Sequence, residues 1–461
     1  MTSGEQNERD TYRVIVLGRG GTQILLVPKG ERFTLPSVQI PRWHRVAENL
    51  TIKFKGDWAE EIVVLFELPA TNDGLRYVAA EHFSPRSHCN VPTHWIPVCV
   101  LSRDSFIESH DYEAIGEVTK VCKGEIEGEC AGPFARLGWF CDLRIWIDSV
   151  IEPMGFQVGG TFRQLNASPS FGLIRFETNG PALWFKAVGE PNQREFGITS
   201  VLAQLFPEHL PPLLASRPDW NGWLSREVEG ELLSGVQEQE CWVQAAAALT
   251  SLQIAAIDRG PQILGSGAQD LGSVRLSELI QPFLSVAAQL MERQTKVPPD
   301  ILGRDDLLAL ADCLQSAVDA TNATGIPGTL GHLDLNPGNI IVSEKRCAFL
   351  DWAEAYIGNP LFSLEYLLQH ARRAFGEGSD VRTKMIAAYC AEWSNVVSAS
   401  AIADALVFAP LLAVFAYAAG TDTWRQPQRL GQPAAGYLRS LARRMHREAR
   451  ELADRRIVCT Q

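Results

Sequence analysis

Apolar residues recur along this chain at two periods, and the change between them divides it. From Tyr12 onward the apolar stretches are short: Tyr12-Arg-Val-Ile-Val-Leu-Gly, Gln23-Ile-Leu-Leu-Val-Pro, Glu60-Glu-Ile-Val-Val-Leu-Phe-Glu-Leu and Trp95-Ile-Pro-Val-Cys-Val-Leu. Runs of this length, separated by turn residues such as Gly20-Gly21-Thr22 and Leu35-Pro36, predict strands. One short helix is expected near Ala47. The acidic, glycine-containing stretch Lys123-Gly-Glu-Ile-Glu-Gly-Glu-Cys-Ala-Gly marks a boundary, which gives a β-rich first domain over residues 1–127. From Pro133 to Ile151 the positions Phe134, Leu137, Phe140, Leu143, Ile147 and Val150 follow the helical period and predict a helix.

Further on, Phe171 to Thr178 and Leu183 to Val188 read as two strands around the turn Thr178-Asn179-Gly180-Pro181. Lys186 stands inside the second apolar run, where an ammonium is costly unless it is paired or faces phosphate. Phe196, Thr199, Val201, Leu202 and Leu205 then form a helical stripe that Pro207 ends. Glu195 lies in its first turn and is the candidate partner of Lys186. Glu190 is the rival, and a glutamate at a helix start also serves the dipole. Gly222 to Arg226 reads as a strand running into Glu227-Val228-Glu229-Gly230, and Glu240 to Ile257 as an alanine-rich helix.

The most informative stretch is Gly331-His-Leu-Asp-Leu-Asn-Pro-Gly-Asn-Ile-Ile-Val, followed by Cys347-Ala-Phe-Leu-Asp-Trp and Gly358-Asn-Pro. Asp334 precedes Asn339 by five residues, and Asp351 ends an apolar run. Ile340 to Val342 and Ala348 to Leu350 predict a hairpin that turns Asn339 and Asp351 toward one point. Phosphoryl transfer needs groups of this kind: one carboxylate to orient a hydroxyl and take its proton, and an amide with a second carboxylate to hold Mg²⁺ against phosphates.

This stretch resembles the catalytic segment of the aminoglycoside phosphotransferase and choline kinase superfamily, small-molecule kinases of the protein-kinase-like fold. His332, Asp334, Asn339, Asp351 and Trp352 match its pattern. Leu333, Asn359 and Ser363 depart from it, standing where a glycine and two aspartates are usual. The resemblance covers about residues 155–445. It implies an α+β, two-lobed kinase domain over residues 128–461, with a small lobe at about 150–228 and a large lobe at about 229–461. By the same resemblance the chain is a small-molecule kinase using Mg²⁺ and ATP, with GTP as the alternative, and the acceptor is a hydroxyl of a small molecule. Asp334 is then the base and Asn339 and Asp351 the metal ligands. Lys186, steadied by Glu195, holds the α- and β-phosphates, and the backbone at Glu227 and Val228 meets the base edge. His332 is expected to bond the catalytic loop. No glycine-rich phosphate loop is present; the segment Val158 to Ser170 stands in its place.

The first domain resembles a Nudix hydrolase in its opening strands and Leu-Pro step. The paired glutamates that such hydrolysis needs are absent, since the helix region Trp43 to Leu50 offers only Glu48. Composition narrows the classes further. The 461 residues carry a net charge of −12, which argues against a general nucleic-acid binder. Ten cysteines without a Cys-x2-Cys pair give neither a disulfide framework nor a zinc site, and His88, Cys89, His94 and Cys99 fit no standard metal spacing. A polar N-terminus, and an apolar stretch from Ala405 to Gly420 interrupted by Pro410, lead to the expectation of a cytoplasmic protein without membrane contact. Arg439 to Arg456 reads as a basic amphipathic helix. A nucleotide-binding scaffold without turnover is the alternative function.

Overall fold

The computed structural model describes residues 8–18, 20–69, 74–83, 93–125, 132–427 and 430–459. Two compact units form: residues 1–196 with 212–227, and residues 197–211 with 228–461.

The first unit opens with β1 (Arg9–Leu17), β2 (Gln23–Lys29), β3 (Arg32–Thr34), β4 (Ser37–Pro41), α1 (Val46–Lys53), β5 (Ile62–Glu67), β6 (Arg76–His82) and β7 (His94–Pro97). These strands make one sheet in the order β3-β2-β1-β6-β5, with β4 added on β1 and β7 on β2. The β1–β6 pair is parallel. Two helices follow, α2 (Ser109–Cys122) and α3 (Trp139–Ile151). The sequence reading gave this region a single short helix; α2 buries Ala114, Ile115, Val118, Val121 and Cys122 along one stripe. The helix expected from Pro133 begins only at Trp139. Gly138 before it is left-handed, at φ 82°, and donates its N–H to the Glu81 carboxylate, so residues 133–138 are committed to a turn. Most of the expected boundary at 123–132 lies outside the described residues, as do His88 and Cys89.

A second sheet follows, of β8 (Val158–Ala167), β9 (Gly172–Thr178) and β10 (Leu183–Ala187), then, after α4 (Glu195–Leu205), β11 (Leu213–Arg217) and β12 (Gly222–Arg226). Its order is β11-β12-β10-β9-β8, antiparallel throughout. Val158 to Ala167 is therefore strand, where the sequence reading placed a phosphate loop. The loop that remains is the tight turn Ser168–Phe171, whose Ser168 Oγ already accepts from the Ser170 and Phe171 N–H groups. It offers no nest of free donors of the kind that cradles phosphate.

The two sheets share one apolar core. Ile15, Leu26, Val63 and Leu65 of the first join Ile174, Phe185 and Leu224 of the second, with Phe140 and Leu143 of α3 between them. One polar clamp crosses the same region: buried Gln164 on β8 accepts from Val64 N–H at 2.8 Å and donates to Val64 C=O at 2.7 Å. Gln164→Ala would strand both backbone groups, each at about 1–3 kcal/mol. Chemical denaturation is expected to show a loss of about 2–6 kcal/mol.

The second unit contains β13 (Glu231–Leu232), α5 (Gln239–Ala255), α6 (Gly260–Gly265), β14 (Gln269–Leu271), α7 (Ser273–Glu292) and α8 (Arg304–Ala323). It continues with β15 (Thr329–His332), β16 (Ile340–Val342), β17 (Cys347–Phe349), β18 (Ala355–Gly358), α9 (Leu361–Phe375), α10 (Val381–Trp393), α11 (Ala399–Gly420) and α12 (Gln432–Cys459). The strands form two small sheets, β13-β16-β17 and β14-β18-β15. By length and composition α11, at 22 residues and mean hydropathy 2.0, could cross a membrane. It is longer than the apolar stretch read from the sequence. Its apolarity on all sides has another cause: Phe408, Leu411, Leu412 and Phe415 are buried among α7, α8, α9 and α12.

Candidate functional site

The motif residues of the second unit sit on the loop after β15 and on the β16–β17 hairpin. Gly331 in β15 is required by packing, because a Cβ there would lie 2.0 Å from the Tyr356 ring. The loop that follows is built from its own polar groups. His332 is fully buried; its Nδ1 accepts the Asp334 N–H at 3.1 Å, so Nε2 carries the proton and donates to Leu350 C=O at 3.0 Å. Burial lowers its pKa, which keeps the ring neutral and suits it to this structural role.

Asp334 is held from both sides. Tyr366 on α9 donates its hydroxyl to Oδ1 at 3.0 Å, and Asn336 Nδ2 donates to Oδ2 at 3.1 Å. Burial, and then the facing carboxylate, push the Tyr366 phenol up, so it remains a donor. Oδ1 keeps a second lone pair for an incoming hydroxyl, while Oδ2 also takes a long bond, at 3.5 Å, from Asn339 Nδ2. Asn339 Nδ2 donates to the Asp334 carbonyl at 3.0 Å, which leaves the amide oxygen for another partner.

The hairpin pairs Ile340 with Phe349, and Leu350 N–H donates to Asn339 C=O at 2.8 Å. Asn339 and Asp351 thus lie at the same end of it. Asp351 is left-handed, with φ 64° and ψ 59°, a conformation that aspartate tolerates better than most residues. The residues that depart from the superfamily pattern find neutral roles. Leu333 is buried in the helical core. Asn359 Oδ1 accepts from Leu361 N–H at 2.9 Å, and Ser363 Oγ accepts from His332 N–H at 2.8 Å. Hydroxyl and amide oxygens accept these bonds without a carboxylate's charge.

In the first unit, β10 alternates. Leu183, Phe185 and Ala187 face the core, while Lys186 points to the other face, opposite Trp223 of β12. Its Nζ donates to Glu195 Oε1 at 2.5 Å and lies 5.7 Å from the Trp223 ring centroid. Glu195, at the first position of α4, is 1% exposed, so the lysine partner is Glu195 and its carboxylate is almost wholly desolvated. Glu227 is committed elsewhere. Its carboxylate takes a two-point bond from Arg175, at 2.6 and 2.8 Å, and one from Trp184 at 3.0 Å, and the arginine bond lowers its pKa. Its N–H goes to Ala182 C=O at 2.8 Å. The backbone groups expected from the sequence to meet a base edge are then the Glu227 carbonyl and the Val228 N–H. Asn336 stood in the quoted motif without an assigned part, and Tyr366 was missed altogether. It lies on the next helix, and no sequence spacing ties it to Asp334.

A paired lysine and glutamate, an aspartate held in a polar loop and an Asn–Asp hairpin are groups of the kind that phosphoryl transfer from a nucleotide uses. Residues 220–397 match the family model described as "Phosphotransferase enzyme family". Solved structures similar to the chain include choline kinase LicA from Streptococcus pneumoniae, at 15% identity over 68% of this chain and 99% of that one, TM-score 0.43. Another is a Plasmodium vivax ethanolamine kinase, at 12% identity over 72% and 94%, TM-score 0.46. A third is macrolide 2'-phosphotransferase MphH from Brachybacterium faecium, at 16% identity over 64% and 98%, TM-score 0.41. No curated protein matches the chain. None of these comparisons bears on the Nudix resemblance of the first domain. There Glu48, the sole acidic residue of α1, forms an ion pair with Arg163.

Proposed function

We propose that the protein transfers the γ-phosphoryl group of ATP to a hydroxyl of a small molecule, with Asp334 as the base. The observation that carries this reading is the Asp334 carboxylate, oriented by Tyr366 and Asn336 on a loop that Asn339 and His332 brace. A carboxylate so fixed can receive the acceptor's proton without first reorganising.

The oxygens of Asn339 and Asp351 fit Mg²⁺, which takes one or two protein carboxylates and completes its shell with phosphate and water oxygens. Among the described residues no group of three or more His, Cys, Asp or Glu could hold a metal ion by itself, so a metal would here be shared with the nucleotide. Bound there, it would neutralise charge on the phosphate oxygens. Lys186, kept extended and charged by Glu195, would hold the α- and β-phosphates. The Glu227 carbonyl and Val228 N–H would bond the base edge, with Glu227's side chain fixing that strand through Arg175. The test is transfer of label from γ-labelled ATP to members of a panel of hydroxyl compounds. Label recovered only as inorganic phosphate, at the rate without protein, would count against the reading.

A further inference from the structure

A cavity of about 480 Å³ opens beside α9, bounded by α10, α11 and α12. Its walls carry an unusual concentration of guanidinium groups: Arg372 and Arg373 from α9, Arg382 from α10, and Arg444 and Arg447 from α12. Glu448 and Glu451 stand on the same wall, so the lining is net positive rather than uniformly so. Half-buried Arg444 lies below an arginine's usual value chiefly because of burial; Glu448 and Glu365 oppose the lowering, and Arg373 and Arg447 add to it. Like charges gathered in this way are stabilised by an anion with several oxygens.

A second feature faces the same space. Glu365 lines the cavity at 6% exposure. Its Oε1 accepts from Gln369 Nε2 at 3.1 Å, while among the described residues Oε2 accepts no hydrogen bond and has only a long ion pair, at 3.9 Å, to Arg382. Burial raises its pKa. A buried carboxylate oxygen without a donor is rare in folded proteins and calls for an O–H or N–H from outside the chain. Gln369 is in turn bonded by Arg444, which fixes both sides of the cavity relative to each other.

We infer that this cavity is a binding site for a phosphate monoester of a small polyol or sugar, the phosphate on the arginines and a hydroxyl on Glu365 Oε2. Its volume suits a ligand of that size. The site belongs to α9 as much as the catalytic loop does: Glu365 adjoins Tyr366, which holds Asp334, and Arg373 lies about 10 Å further along the helix at 1.5 Å per residue. The inference does not rest on phosphotransfer, since binding is read without nucleotide.

The probe is glycerol 2-phosphate, titrated calorimetrically into the full chain free of Mg²⁺ and nucleotide. Saturable binding at one site is expected, absent with glycerol alone and weakened at least about tenfold in the Arg373→Ala, Arg447→Ala double variant. Neither arginine donates a hydrogen bond among the described residues, so the double variant is expected to keep the wild-type Tm. Lys186→Ala should leave the affinity unchanged. An absence of saturable binding overturns the inference, and so does binding lost in Lys186→Ala but kept in the double variant. Incubation with γ-labelled ATP separates the two sources of such an ester. Label on glycerol 2-phosphate makes it an acceptor whose phosphate end sits here, and binding without labelling makes it a separate ligand.

Discussion

Replacing Asp334 by alanine is expected to reduce turnover by about 10²–10⁴-fold, the usual contribution of a positioned general base. Nucleotide affinity should change little, because Asp334 is bonded to Tyr366, Asn336 and Asn339 and not to the Lys186 pair. Steady-state assay of kcat, with ATP binding measured separately, reads both halves. Asp334→Asn sharpens the experiment. It keeps an oxygen for Tyr366 and preserves the loop but cannot take a proton, so it should be nearly as inactive as the alanine variant. Turnover near the wild-type level in either variant would remove Asp334 from the mechanism.

The second large effect is expected at Asp351. Loss of its carboxylate should weaken Mg²⁺-dependent ATP binding by about 10²-fold or more, since Mg²⁺ bound this way has few protein ligands to lose. The backbone complicates the choice of variant. At φ 64° an alanine is strained in a way that aspartate and asparagine are not, so Asp351→Ala combines a lost ligand with a cost of about 1–2 kcal/mol. Asp351→Asn keeps the left-handed tolerance and isolates the charge. Asparagine should therefore lose the metal dependence while retaining the thermal midpoint, and alanine should lose both. ATP affinity that still requires Mg²⁺ in Asp351→Asn would show that another group holds the metal.

What the sequence made legible follows from how local each feature is. The Asp334–Asn339–Asp351 grouping is contained in one loop and one hairpin, so spacing alone implied it. The Lys186 strand and the Glu195 helix were likewise readable from short-range pattern, and choosing Glu195 over Glu190 required only where α4 begins. Three features were not readable. Tyr366 reaches Asp334 from another helix through a single hydroxyl bond, which leaves no periodic trace. Val158 to Ala167 contains small and polar residues that read as a loop, yet pairing with β9 makes it a strand. The first domain looked separable because its strands end near an acidic glycine stretch. Its core nevertheless continues into the second sheet through α3, and Gln164 fastens Val64 across that core. Residues far apart in sequence carry the first and the last, Tyr366 with Asp334 and Gln164 with Val64, whereas the β8–β9 hairpin is local and is hidden by its glycines and polar residues.

The account stands most directly on one titration: ATP into the purified protein, with and without Mg²⁺. It predicts saturable one-site binding with the metal and binding weaker by at least about tenfold without it, with Lys186→Ala and Asp351→Asn each reducing the metal-dependent part. An absence of ATP binding under both conditions, or equal binding in both, would contradict it.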